Sequence, residues 1–217
     1  MRGRLLVLEG IDGCGKSTQL KHLADWLPAS GLMPPDAELL LTREPGGTAL
    51  GLALRQLLLH PPGEASPQPL AELLLYAADR AQHVAQVIRP ALERGDWILS
   101  DRFSGSTLAY QGYGRQLNHQ LIVQLEEMAT AGLAPDLTLW LQLSVEESLA
   151  RRQLRSQDRI EAEGVDFLVR VAAGFSALAR QRAWVTIEAD QAQDSVSAAL
   201  QAALKCHLWG SRPGGAG

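Results

Sequence analysis

Gly10, Ile11, Asp12, Gly13, Cys14, Gly15, Lys16 and Ser17 follow the spacing G-x-x-x-x-G-K-[ST]. Each fixed position has a chemical use. Glycines let the backbone turn tightly enough for consecutive N–H groups to face one concavity, where they hold anionic oxygens. A helix that starts at the end of the loop adds partial positive charge from its N-terminus. A lysine so placed reaches the β- and γ-phosphates of a nucleoside triphosphate, and a serine hydroxyl can ligate Mg²⁺. The flanks supply the context the motif needs. RLLVLE at 4–9 reads as a buried strand, and 16–27 puts Leu20, Leu23, Ala24 and Leu27 on one helical face. Cys14 has two readings: a thiol with a lowered pKa beside Lys16, or a small residue tolerated in a tight loop.

Further polar clusters recur where apolar strand-like runs end. Asp12 follows the first run, Arg43 and Glu44 the second (ELLLT, 38–42), Asp101 and Arg102 the third (DWILS, 96–100). In an open parallel sheet, ligands bind outside the carboxyl ends of the strands, so these clusters point to one site. Asp101 suits the Mg²⁺ held by Ser17, directly or through water. Arg102 suits a second phosphate group, because a planar guanidinium matches phosphate oxygens. Residues 105–115 (GSTLAYQGYGR) mix hydroxyls, Gln111 and two tyrosines, which suits recognition of a base and sugar. Tyr76 and Arg80 lie four apart on one helical face, where a ring can stack on a base and a guanidinium can hydrogen-bond to it. Arg151, Arg155 and Arg159 are also spaced by four. Beside a phosphate loop such a row reads as a lid that neutralises charge in phosphoryl transfer. The alternative is a solvated face paired with Glu146, Glu147 and Asp158.

The elements that must position these residues alternate. Apolar strands are expected at 4–9, 38–42, 96–100, 137–143 and 184–188, with helices at 16–27, 48–59, 69–89, 106–110, 118–131, 144–157, 165–181 and 195–206. Pro90 kinks or restarts the long helix, and Ser144 with Glu147 forms a capping box. The pattern predicts an α/β fold of the P-loop NTPase kind: a five-stranded parallel sheet with helices on both faces and a small arginine-rich lid at about 151–164. One domain over 1–209 is expected, followed by a Gly/Pro-rich, disordered tail at 210–217.

Composition narrows the partners. Hydrophobic residues make up 46% and charged residues 20%, as in ordinary globular chains. A net charge of −4 argues against a nucleic-acid partner. Cys14 and Cys206 have neither disulfide-framework nor zinc-ligand spacing. No apolar run approaches a membrane span, and Glu9 falls too early for a signal peptide, so no membrane partner and a cytoplasmic location are expected.

Taken together, these residues resemble the thymidylate kinase family of the nucleoside-monophosphate kinase superfamily. The resemblance covers about 4–204 and rests on EGIDGCGKST (9–18), TREPGG (42–47), DRF (101–103), LAYQGYGR (108–115) and DRIE (158–161). It implies transfer of the γ-phosphate of ATP to dTMP, giving dTDP, with Mg²⁺. It also implies that Tyr76 stacks on thymine, Arg80 bonds its edge, and Thr107 and Gln111 make further polar contacts. Tyr110 then stands beside the sugar and disfavours a 2′-hydroxyl, while Asp12, Arg43, Glu44, Arg55 and Arg102 surround the acceptor phosphate and metal. Relatives often carry phenylalanine at the place of Tyr76. Gly13 stands where some relatives carry a catalytic arginine, so this chain is similar to the bacterial type whose lid supplies it. Arg151, Arg152, Arg155 and Arg159 are the candidates, with Arg155 and Arg159 preferred. The catalytic set is thus Lys16, Asp12, Arg102, Arg155 and Arg159, and relatives imply a homodimer. The rival reading is a deoxynucleoside kinase with Glu44 as base. Arg43, Arg55 and Arg102 speak against it, since a neutral nucleoside does not require them. The N-K-x-D of a GTPase-like switch is absent.

Overall fold

Leu5, Leu6, Val7 and Leu8 are fully buried and form the centre of the sheet as β1 (Leu5–Glu9). A strand hidden on both faces has no polar alternation, which is why RLLVLE reads as a continuous apolar run. Its side chains still point alternately to two cores. Leu6 and Leu8 pack with Leu23, Leu99, Leu139, Phe175 and Leu200, whereas Leu5 and Val7 pack with Ile88, Leu92, Ile98 and Phe103. The structure is a computed structural model and describes residues 2–63, 66–152, 159–160 and 163–209.

The other strands are β2 (Leu39–Arg43), β3 (Trp97–Asp101), β4 (Leu137–Gln142) and β5 (Val185–Glu188). All pair in parallel in the order β2-β3-β1-β4-β5. The register sets Leu6 opposite Leu99 on one side and Leu137 on the other. Because the connections diverge at β1, a crevice opens beyond its carboxyl end, and the glycine loop leaves the sheet there.

The helices are α1 (Lys16–Trp26), α2 (Ala49–Leu59), α3 (Pro69–His83), α4 (Arg89–Arg94), α5 (Ser104–Thr107), α6 (His119–Thr130), α7 (Val145–Arg152), α8 (Val165–Gln181) and α9 (Gln193–Trp209). Leu23 of α1, Phe175 of α8 and Leu200 of α9 cover one face of the sheet, and Ala91 and Leu92 of α4 the other. Thr48, Asn118 and Ser144 cap α2, α6 and α7 by accepting from Gly51 N, Leu121 N and Glu147 N. Among the described residues no helix is long and apolar enough to cross a membrane.

Two helical stretches depart from the sequence reading in the same way. The expected helix at 69–89 ends as α-helix at His83, widens into a π-helical turn at Val84–Ile88, and restarts as α4 with Pro90 in its first turn. Proline has no N–H for the ladder, and the wider turn removes the need for one. The short helix expected at 106–110 instead starts at Ser104 and continues as a π-helical segment, Leu108–Gly114. Gly114 is there for clearance: a Cβ would come within 2.6 Å of the Phe167 ring on α8. The proposed lid lies largely outside the described residues, as do Arg155 and the tail at 210–217.

Candidate active site

The loop between β1 and α1 binds its own lysine first. Lys16 Nζ donates to Gly10 O at 2.9 Å and Ile11 O at 3.1 Å, which turns the ammonium inward along the loop. Gly15 occupies the N-cap of α1 with φ 97° and makes no side-chain cap, so no side chain competes for the first helical N–H groups. Ile11 is buried in the core and does not line the cavity along the loop. Cys14 is buried too, and burial raises its thiol pKa against the pull of Lys16 and Arg102. That contradicts the lowered-pKa reading and leaves Cys14 as a small residue in a tight loop.

Ser17 and Asp101 meet beside this loop, with Ser17 Oγ donating to Asp101 Oδ2 at 3.4 Å. Asp101 Oδ1 is buried with no hydrogen-bond partner among the described residues. Two hard oxygen donors next to a phosphate cradle, one with an unsatisfied lone pair, fit Mg²⁺, which takes few protein ligands and fills its shell with water and phosphate.

Arg102 is the hinge of the site. It has φ 72°, a left-handed conformation that costs any non-glycine residue energy and occurs where the surroundings fix it. Here they do. Its Nη1 donates to Gly10 O (3.0 Å) and Ser106 Oγ (2.8 Å), and its Nη2 to Asp12 Oδ1 (2.6 Å) and Tyr110 OH (3.2 Å). Tyr110 OH in turn donates to Asp12 Oδ2 at 2.7 Å. Burial works to raise the pKa of Asp12, but the charges of Arg102 and Lys16 outweigh it and hold the carboxyl below the usual range. Ser148 of α7 donates to Asp12 O at 2.6 Å and ties that helix to the loop. Glu9, at the end of β1, accepts from Phe103 N, Ser106 N and Ser106 Oγ, so it fixes the start of α5 and the serine that supports Arg102.

Two cavities meet at this hinge. The larger runs along the loop and is lined by Gly13, Lys16, Ser17, Arg43, Asp101 and Arg151, among others. The smaller is lined by Tyr76, Arg80, Thr107, Tyr110, Gln111 and Ile160, among others. Asp12, Glu44, Arg55 and Arg102 line both. The strand-end clusters and the residues of 105–115 therefore come together as their spacing suggested.

The smaller cavity rests on a buried ion network. Arg80 is 2% exposed. Its Nε donates to Glu44 Oε2 at 2.7 Å and its Nη1 to Thr107 Oγ1 at 2.9 Å and to Glu126. Glu44 also bonds His83 Nδ1 at 2.9 Å, and His83 Nε2 meets Thr42 Oγ1 at 2.7 Å. Glu44 is thus occupied by two partners on α3, an unsuitable setting for the free base of the rival reading. Arg55 reaches Pro45 O at 3.0 Å, following the cis Glu44–Pro45 peptide. Glu72, Glu126, His83 and Glu9 escaped sequence reasoning. Each looks like an isolated charge on a helix or strand until its distant partners are in place.

The lid arginines separate. Arg151 lines the larger cavity and donates to Ala189 O at 3.0 Å. Arg159 lies on the other side, donating to Glu72 Oε2 (2.5 Å) and Leu58 O (2.9 Å).

The sequence matches the family model described as Thymidylate kinase over residues 8–200. A thymidylate kinase from Prochlorococcus marinus (strain MIT 9303) is 76% identical over 96% of each chain. One from Synechococcus sp. (strain CC9605) is 64% identical over 96% of this chain and 100% of its own. The crystal structure of thymidylate kinase from Ehrlichia chaffeensis superposes with a TM-score of 0.76 at 30% identity, covering 94% of this chain and all of that one. With a glycine loop opening into one cavity, a second cavity sharing its mouth, and a family model matching residues 8–200, this chain belongs to the thymidylate kinase family.

Proposed function

We propose that the larger cavity holds ATP, the smaller holds dTMP, and transfer occurs at their shared mouth. The chain is an ATP-dependent kinase that converts dTMP into dTDP. What carries the assignment of sites is that Asp12, Glu44, Arg55 and Arg102 line both cavities. A group passing from one nucleotide to the other has to cross this mouth.

The attacking atom is an oxygen of the acceptor phosphate, already ionised, so no general base is required. Catalysis reduces to alignment and neutralisation of charge. Lys16 and the N-terminus of α1 hold the donor phosphates. Arg102, kept in place by Asp12, Ser106 and Tyr110, bridges donor and acceptor, while Arg43 and Arg55 complete the acceptor phosphate site. Tyr76 stacks on the base, Arg80 and Gln111 bond its edge, and Thr107 supports Arg80. The bulk of Tyr110 stands against a 2′-hydroxyl. Ser17 and Asp101 would hold Mg²⁺, which would supply positive charge to offset that of the donor phosphates. The lid supplies the arginine that neutralises the moving group: Arg155 is one candidate, and Arg159 is the other only once it leaves Glu72 and Leu58 O, since it lines neither cavity while bonded to them. Arg151 lines the larger cavity, on the donor side.

The protein acts as a cytoplasmic homodimer. The observation behind the dimer is apolar surface on packed neighbouring helices: Leu50 and Leu57 on α2, Leu70 and Leu74 on α3, Leu121 and Met128 on α6. Lys16→Ala tests the donor assignment. Turnover should fall by orders of magnitude with the circular dichroism spectrum unchanged; near-normal turnover would remove the loop from the mechanism.

A further inference from the structure

Glu72 projects from α3 with no solvent exposure, and it does not line either cavity. Its carboxylate nevertheless reaches the acceptor site through one neighbour. Glu72 Oε1 accepts from Gln111 Nε2 at 2.8 Å and from Arg115 Nε at 3.2 Å. Its Oε2 accepts from Arg115 Nη2 at 3.0 Å and Arg159 Nη2 at 2.5 Å. Burial raises the pKa of Glu72, but the hydrogen bonds from Arg115, Gln111 and Arg159 outweigh it and lower the pKa. The group is therefore ionised near neutrality.

An ionised carboxylate only accepts hydrogen bonds, whereas a glutamine amide has a donor end and an acceptor end. Against Glu72 the Gln111 side chain has one stable orientation, with its NH₂ turned to the carboxylate. The reverse would set carbonyl oxygen against carboxylate oxygen in a buried setting. Gln111 Oε1 is then the end left for the cavity, and it accepts no hydrogen bond among the described residues. Arg80, which lines the same cavity, is donor-only.

We propose that Glu72 is a specificity-determining residue: it locks the Gln111 amide so that the cavity presents one acceptor beside one donor. The inference rests on the reading of the smaller cavity as the dTMP site. The base edge that fits carries an N–H donor next to a carbonyl acceptor, as the imide edge of thymine does. Cytosine presents the reverse, a ring nitrogen acceptor next to an amino donor, and meets both groups with the wrong polarity. Glu72 acts here as a positioning residue, setting which end of Gln111 the substrate sees.

The test compares kcat/KM for dTMP and dCMP, by ADP release, in wild type, Glu72→Gln, Gln111→Leu and the double variant. A glutamine at 72 can donate as well as accept, so Gln111 is free to present either end. The dTMP-to-dCMP ratio should fall by about 10- to 100-fold in Glu72→Gln. It should fall comparably in Gln111→Leu and no further in the double variant, while Glu72→Asp, still acceptor-only, keeps the wild-type ratio. Equal loss on both substrates in Glu72→Gln, with the ratio unchanged, overturns the inference and leaves Glu72 a structural brace. Should Glu72→Gln fail to fold, a wild-type ratio in Gln111→Leu overturns it equally. A wild type without preference for dTMP overturns the reading of the cavity itself, a different result from either.

Discussion

At the end proposed for the donor, contiguous chain from Asp12 to Ser17 lines the cavity, and on that reading its working parts are backbone N–H groups, one lysine and one hydroxyl. At the acceptor end, Arg80 is 2% exposed and bonded to Glu44 and to Glu126, the latter 46 positions away. One half is local geometry; the other is a set of buried charges drawn from separate elements. The halves should therefore fail differently. Losing a group from the cradle removes catalysis and leaves the fold, whereas losing a charge from the network exposes its partners to an apolar interior without compensation.

Arg80→Leu sharpens that contrast most. It leaves Glu44 with only His83, and Glu126 with a second oxygen already unpartnered among the described residues. Burial already raises the pKa of Glu126 against the pull of Arg80, so its ionised form depends on that guanidinium. Unfolding free energy from urea titration should drop by about 3–5 kcal/mol, as for other broken buried pairs. A stability equal to that of Lys16→Ala would mean that the two halves are built alike after all.

Tyr110→Ala has a smaller expected effect. Its hydroxyl donates to Asp12 and its ring lines the acceptor cavity, so overall turnover falls for any acceptor. The informative number is the ratio of kcat/KM for dTMP over its ribose counterpart, which should fall about tenfold once the ring is gone. Tyr110→Phe, which keeps the ring, should hold the ratio. An unchanged ratio in Tyr110→Ala would move the sugar away from this residue.

The same division explains what the sequence made legible. The strands of the sheet were readable because a buried parallel strand needs an unbroken apolar run, as in RLLVLE. The phosphate loop was readable because its function is held in adjacent residues. Arg43, Glu44, Asp101 and Arg102 were readable as strand-end charges, since an open parallel sheet collects ligands at those ends. Glu72 and Glu126 were not, because a carboxylate on a helix looks the same in sequence whether it meets water or an arginine from another element. The π-helical segments were hidden for a related reason. Gly114 looks like a break in the helix, and only the approach of Phe167 explains why a side chain is missing there.

The central claim is that phosphoryl transfer takes place at the mouth shared by the two cavities, with Arg102 spanning it. Arg102→Gly tests it most directly, because glycine accepts the left-handed backbone at φ 72° and removes only the guanidinium network. The measurement is the single-turnover rate of transfer from bound ATP to dTMP, alongside ATP affinity. Transfer should slow by about 10²- to 10³-fold while ATP affinity stays within a few-fold. A transfer rate near wild type would place the reacting phosphates away from Arg102 and contradict the account.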